Sequence, residues 1–167
     1  GMSPRETDGT MALLARISAE AGGVASVGTS PSMVEALRAV GVTRVSVVTP
    51  YTDTINEGLT TFLTAHGFDV ATMAGQQIVS NLEIGDQSPE AILAFARANL
   101  DPSAEGYFLS CTNWRSMEIV DQLERESGKP VVTSNQATVW AALRALAVNE
   151  PVDGYGRLLR EPALADA

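Results

Sequence analysis

The sequence holds one cysteine, Cys111, and one histidine, His66, among 167 residues. One cysteine excludes an internal disulfide, and so few soft ligands leave no convincing metal site. Basic residues are scarce too: 11 Lys and Arg face 20 Asp and Glu, for a net charge of -9. That balance repels phosphate backbones and anionic lipid, so neither nucleic acid nor a membrane is an expected partner. No apolar run approaches the roughly 20 residues of a membrane span. The N-terminus lacks the charged, apolar and cleavage regions of a signal peptide, which leads to the expectation of a cytoplasmic protein, and Gly1 before Met2 reads as a tag-cleavage scar. There is no Walker-type loop and no G-x-G-x-x-G after a strand, since Gly22-Gly23 stands alone after a helix. Nucleotide binding therefore has little support.

What is present is the pattern of a folded domain. Hydrophobic residues make up 45% and charged residues 19%, with eight prolines spread along the chain, enough for one domain with a real core. Helical and extended patterns alternate. Helices are expected over about Thr10–Ala21, from Ser30-Pro31 (as N-cap and first helical position) to Gly41, and over Thr52–His66, Ala91–Leu100, Met117–Ser127 and Asn135–Val148. Strands are expected at Val24–Val27, Arg44–Thr49, Phe68–Met73, Tyr107–Ser110 and Pro130–Thr133, and residues Gln76–Gln87 read as a loop with at most one turn. Four to five short strands, each separated by a helix, imply an α/β fold: a parallel sheet with helices on both faces.

Such a sheet aligns three strand ends on one edge: Thr49-Pro50-Tyr51-Thr52, Ser110-Cys111-Thr112-Asn113 and Thr133-Ser134-Asn135-Gln136. Ligands of open α/β sheets settle along this carboxyl edge. The three segments are rich in hydroxyls and amides and read as leading into helix N-termini, chemistry suited to a small carboxylate anion. Cys111 then reads either as a catalytic thiol stabilised by helix N–H groups or as a small buried hydrophobe. Ser, Thr and Asn are also ordinary N-caps, so it is their clustering that points to a site. His66 beside Gly67 complements a helix dipole. Glu118, Asp121, Glu124, Arg125 and Glu126 read as a solvated face, and Trp114 and Trp140 as core or interface residues. The tail from Glu150 is expected to wrap over a neighbouring surface or to fray.

Val48-Thr49-Pro50-Tyr51-Thr52, Asn81 with Ile84-Gly85 and Pro89-Glu90, Ser110-Cys111-Thr112-Asn113, and Pro130-Val131-Val132 with Ser134-Asn135-Gln136-Ala137 resemble the maleate cis-trans isomerases. These belong to the aspartate/glutamate racemase superfamily, alongside hydantoin racemases and arylmalonate decarboxylases. The resemblance runs from about Val24 to Leu159 and includes Gly154-Tyr155-Gly156-Arg157-Leu158. It implies a two-lobed fold without metal or organic cofactor and a site between the lobes, with one cysteine from each. By position, it implies Cys111 as the second-lobe acid/base. It also implies Tyr51, Thr52, Asn81, Thr112 and Asn113 as groups that bind substrate carboxylates or orient the thiols, with Pro50, Ser134 and Asn135 as further candidates.

The first-lobe cysteine of that family would lie before Gly1. On this reading residues 1–43 are a remnant of the first lobe, 44–134 the second lobe, and 135–167 a C-terminal helix and tail returning to the first. An incomplete lobe exposes a sheet edge and apolar surface, which leads to the expectation of a homodimer. The expected activity is a maleate-to-fumarate type isomerisation of a small dicarboxylate. The alternatives are a single-thiol arylmalonate-type decarboxylase or racemase, and a carboxylate-binding module that has lost the chemistry.

Overall fold

The structure, a computed structural model, describes residues 4–161, with side chains from residue 9; Gly1, Met2 and the last part of the tail lie outside the described residues. Its elements run α1 (Pro4–Glu20), α2 (Thr29–Ala39), β1 (Arg44–Thr49), α3 (Asp53–Ala65), β2 (Asp69–Gly75), α4 (Asn81–Gly85), α5 (Pro89–Asn99) and β3 (Gly106–Leu109). A 3-10 turn (Ser116–Ile119), α6 (Val120–Ser127), β4 (Val131–Thr133), α7 (Ser134–Ala145) and α8 (Arg157–Arg160) complete it. The four strands form one parallel sheet in the order β2-β1-β3-β4.

Both faces of the sheet are covered, because its inner strands carry apolar residues on both faces, with buried Ser46 of β1 as a polar exception. Val47, Phe108 and Val132 are laterally paired and face a core with Leu37, Phe62, Trp140 and Leu158 from α2, α3, α7 and α8. Val48, Leu109 and Val131 face the other core, with Ile84, Ile92, Trp114, Val120 and Leu123 from α4, α5 and α6 and the loop before it. Side chains of this size contribute roughly 1.5–3 kcal/mol each when fully buried. Those two layers set the strands' order, and with it which loops meet at the carboxyl edge.

Several local expectations need correction. Val24–Val27 is not a strand: it has no partner strand, Val24 is exposed, and the segment is tied down by the Ser26 hydroxyl donating to the Leu14 carbonyl at 2.6 Å. The N-cap of α2 is Gly28, which places Ser30 and Pro31 inside the first turn. The helix expected over Met117–Ser127 is divided into the 3-10 turn and α6. Residues 110–115 therefore form a turn, and Cys111 does not sit at a helix N-terminus. Trp114 and Trp140 are core residues.

Glu124 departs from its expected solvated face. Its carboxylate accepts the Val131 N–H at 3.0 Å and the Arg157 N–H at 2.8 Å, joining α6 to β4 and to the tail. The Gln136 side-chain amide donates to the Tyr155 carbonyl at 2.6 Å from the other side. Between these anchors Gly156 has φ 79°, and a Cβ there would run into Val120 and Glu124. The described part of the tail, to Glu161, thus wraps rather than frays, burying Leu158 and Leu159 in the core. Losing a charge-assisted hydrogen bond of this type costs about 1.5–3 kcal/mol. Thermal unfolding should show Glu124→Gln and Gly156→Ala each destabilised by about 1–3 kcal/mol, the glycine variant through backbone strain and overpacking.

Candidate active site

The pairing of β1 with β3 sets Val48 beside Leu109, and that of β3 with β4 sets Leu109 beside Thr133. The three segments that follow therefore converge on one edge. Cys111 is 4% exposed, and Tyr51 is half-buried against the same cluster. The Tyr51 phenol packs beside Cys111 in the same buried cluster. Burial first, then its interaction with the Cys111 thiol, push the phenol well above its ordinary pKa. Tyr51 therefore stays protonated across the physiological range and is available as a donor to sulfur or to a substrate oxygen.

Amide side chains hold the loop that carries Cys111. Asn135 on the first turn of α7 donates to the carbonyls of Thr112 (3.0 Å) and Trp114 (3.5 Å). Asn113 donates to the Asn81 carbonyl at 2.6 Å, which docks α4 on the loop. The Asn81 side chain itself is exposed at the edge, so its main chain makes the contact with the thiol's loop. The Trp114 indole donates to Gln87 at 3.3 Å. Among the described residues, the backbone N–H groups of Thr112 and Asn113 have no acceptor. Both are free to receive an anion, as backbone donors rather than as a helix terminus.

The remaining candidates divide. Thr52 is the N-cap of α3 and is half-buried beside Tyr51. Pro50 is buried, and its carbonyl takes the Ile78 N–H at 2.9 Å, holding the loop after β2. Ser134 is buried with its hydroxyl on the Met33 sulfur at 3.3 Å, facing the core. A cavity of about 250 Å³ opens beside the edge, lined by Ser30, Met33, Tyr51, Ile55, Leu59, Phe62 and Ser110. Sequence reading assigned Ser30 to a cap and left Ile55 and Leu59 within the helix expected over Thr52–His66; only the tertiary structure shows that they share a cavity wall with Tyr51. No cluster of three or more His, Cys, Asp or Glu residues that could hold a metal ion occurs among the described residues. Among them, too, no helix is long and apolar enough to cross a membrane.

The family model described as arylmalonate decarboxylase matches residues 5–159. The chain belongs to this family. It is 33% identical to maleate isomerase of Nocardia farcinica over 137 residues, covering 81% of this chain and 55% of that protein. It is 31% identical to arylmalonate decarboxylase of Bordetella bronchiseptica, over 85% of this chain and 60% of that protein. A solved structure of the Nocardia farcinica maleate cis-trans isomerase bound to TRIS superposes with a TM-score of 0.88 at 32% identity, over 96% of this chain and 66% of that one. A Cys-to-Ser mutant of the same isomerase, with a covalently bound succinylcysteine intermediate, also superposes with a TM-score of 0.88. The chain spans 51–60% of the length of the curated relatives it matches. Membership of the family and a maleate isomerase-like α/β fold thus agree with the motifs centred on Tyr51 and Cys111.

The raised pKa of Tyr51 has a defined sign. The folded state binds the phenolic proton more tightly than the unfolded chain, so this stabilising contribution is complete below the ordinary phenol value near 10 and is lost as pH rises through the higher folded value. Alkaline denaturation followed by circular dichroism should show stability falling more steeply above pH 10 in the native chain than in Tyr51→Phe.

Proposed function

We propose that Cys111 transfers a proton to and from the carbon next to a carboxylate in a small unsaturated dicarboxylate, in a cofactor-independent isomerisation of the maleate-to-fumarate type. The observation that carries this reading is the Tyr51–Cys111 pair beside the unoccupied backbone donors of Thr112 and Asn113. Tyr51, Thr52, Thr112 and Asn113 hold the carboxylates, Asn81 lies at the open edge, and Asn135 supports the loop from behind.

In this reaction a thiolate adds to one alkene carbon, and the other carbon takes the Cys111 proton, giving a succinyl thioether. Rotation about the new single bond follows. Cys111 then removes the proton, the thiolate leaves, and the trans acid results. A succinylcysteine in the Nocardia farcinica isomerase supports such an intermediate. The thiol that adds is not Cys111, and this sequence has no other; the proposal takes it from outside residues 1–167.

A second reading rests on that same count of one thiol and on the description of the matching family model. Decarboxylation of an aryl-substituted malonate releases CO2 and leaves an enediolate, which needs one proton from Cys111. Proton NMR in D2O with maleate and with 2-methyl-2-phenylmalonate separates the two. A product deuterated at the carbon next to its carboxylate, formed by this chain alone, or fumarate, formed where the adding thiol is also supplied, should fall at least about 100-fold in Cys111→Ala, the usual scale of a general acid/base. Turnover that survives in Cys111→Ala would sink both readings.

We propose further that the chain works as a homodimer. β2 is an edge strand, and Met11, Leu13 and Ile17 of α1 are each about half exposed, surface that a second copy would cover. Light scattering should give twice the chain mass of 17.6 kDa; a monomer mass at all concentrations would refute the dimer.

A further inference from the structure

A set of contacts, buried at Thr49 and Asn56 and exposed at Gln77 and Asp53, fixes the peptide of Tyr51, and none of the residues that make it belongs to the candidate site described above. The Thr49 hydroxyl accepts the Tyr51 N–H at 3.0 Å and donates to Asn56 Oδ1 at 2.7 Å. Asn56 Nδ2 donates back to the Tyr51 carbonyl at 3.5 Å, and the Gln77 N–H reaches the same carbonyl at 3.2 Å. Asn56 is 3% exposed and Thr49 is fully buried. Gly75 at the end of β2 lies opposite Thr49, and a Cβ on it would run into the Tyr51 carbonyl and Asn56 Nδ2. Gln77, with φ 63°, closes the set by accepting the Asp53 N–H at 3.2 Å and donating to the Asp53 carboxylate at 2.7 Å.

Asn56 is a polar residue on a helical face shared with Leu59 and Leu63, and an apolar residue there would leave the buried Thr49 hydroxyl without its acceptor and the Tyr51 carbonyl with one donor fewer. One end of its amide serves the Tyr51 carbonyl directly and the other serves the Tyr51 N–H through the Thr49 hydroxyl, and the Tyr51 side chain packs beside Cys111.

We propose that Asn56 is a positioning residue: it locks the Tyr51 peptide so that the phenol is held against the Cys111 thiol. The proposal rests on the reading of Cys111 as the reactive thiol but does not depend on which acid is turned over. Gly75 and Thr49 complete the lock, the first by leaving room and the second by relaying the hydrogen bond.

Cys111 is the only cysteine, so its alkylation by iodoacetamide can be followed by intact mass in the native chain at fixed pH. Tyr51→Phe removes a donor to the thiolate and should slow alkylation about fivefold. Asn56→Leu should slow it in the same direction, and the double variant should be no slower than Tyr51→Phe alone, because both changes remove one coupled interaction. Faster alkylation in Asn56→Leu would mean local opening of a purely structural element, and an unchanged rate or additive slowing would mean independence; any of the three overturns the proposal. If Asn56→Leu fails to fold by circular dichroism, Gly75→Ala is read by the same criteria, with Thr49→Ser, which keeps the hydroxyl, as the variant expected to alkylate at the native rate. The predicted pattern without any turnover would remove the proposed reaction and keep the lock. Turnover without the pattern would remove the lock alone.

Discussion

The parallel pairing of β1 with β3 is the constraint from which the site follows. It brings Thr49 and Ser110 to the same level of the sheet, so the chain leaving β1 and the chain leaving β3 emerge side by side. Tyr51 and Cys111 can then meet although 60 positions separate them in sequence. Antiparallel pairing would send these two ends to opposite edges. The apolar residues on both faces of β1 and β3 matter to function for this reason: covering the sheet twice is what permits a parallel arrangement.

Amide side chains do most of the remaining placement. Asn135 and Asn113 secure the Cys111 loop from two directions, Gln136 ties α7 to the tail, and Gln77 and Asn56 secure the loop after β1. An amide both donates and accepts, so one side chain can satisfy a carbonyl and an N–H of a turn that has no regular ladder. These turns are therefore ordered without being helical, which leaves the N–H groups of Thr112 and Asn113 unspent. The segments after β1 and β4 do lead into the N-termini of α3 and α7, whereas at Cys111 the expected helix terminus is replaced by a loop whose carbonyls are held from outside.

Much of the fold was legible before any coordinates. Arg44–Thr49 showed as a strand because its Val-rich run is buried on both faces, and the helices over α3, α5 and α7 showed through their apolar period and caps. The stretch at Val24–Val27 was misread because β-branched content alone does not make a strand; a pairing partner does. Glu124 was misread because helical spacing put it among charged neighbours, while its actual partners, Val131 and Arg157, approach from β4 and the tail. Asn56 was missed although it left a signal, a polar residue inside the apolar stripe of α3, since nothing local names the peptide it serves.

Residue types, their order and their periodicity determine the α/β class, the parallel sheet, the segments that lie on its carboxyl edge, and a family resemblance that the comparisons support. These are local properties, encoded within a few turns of chain. The contact of Tyr51 with Cys111, the cavity between α2 and α3, the anchoring of the tail on Glu124 and the lock around Tyr51 were decided by tertiary structure alone. Each joins residues from different elements, and the distances between them depend on how two cores pack against one sheet.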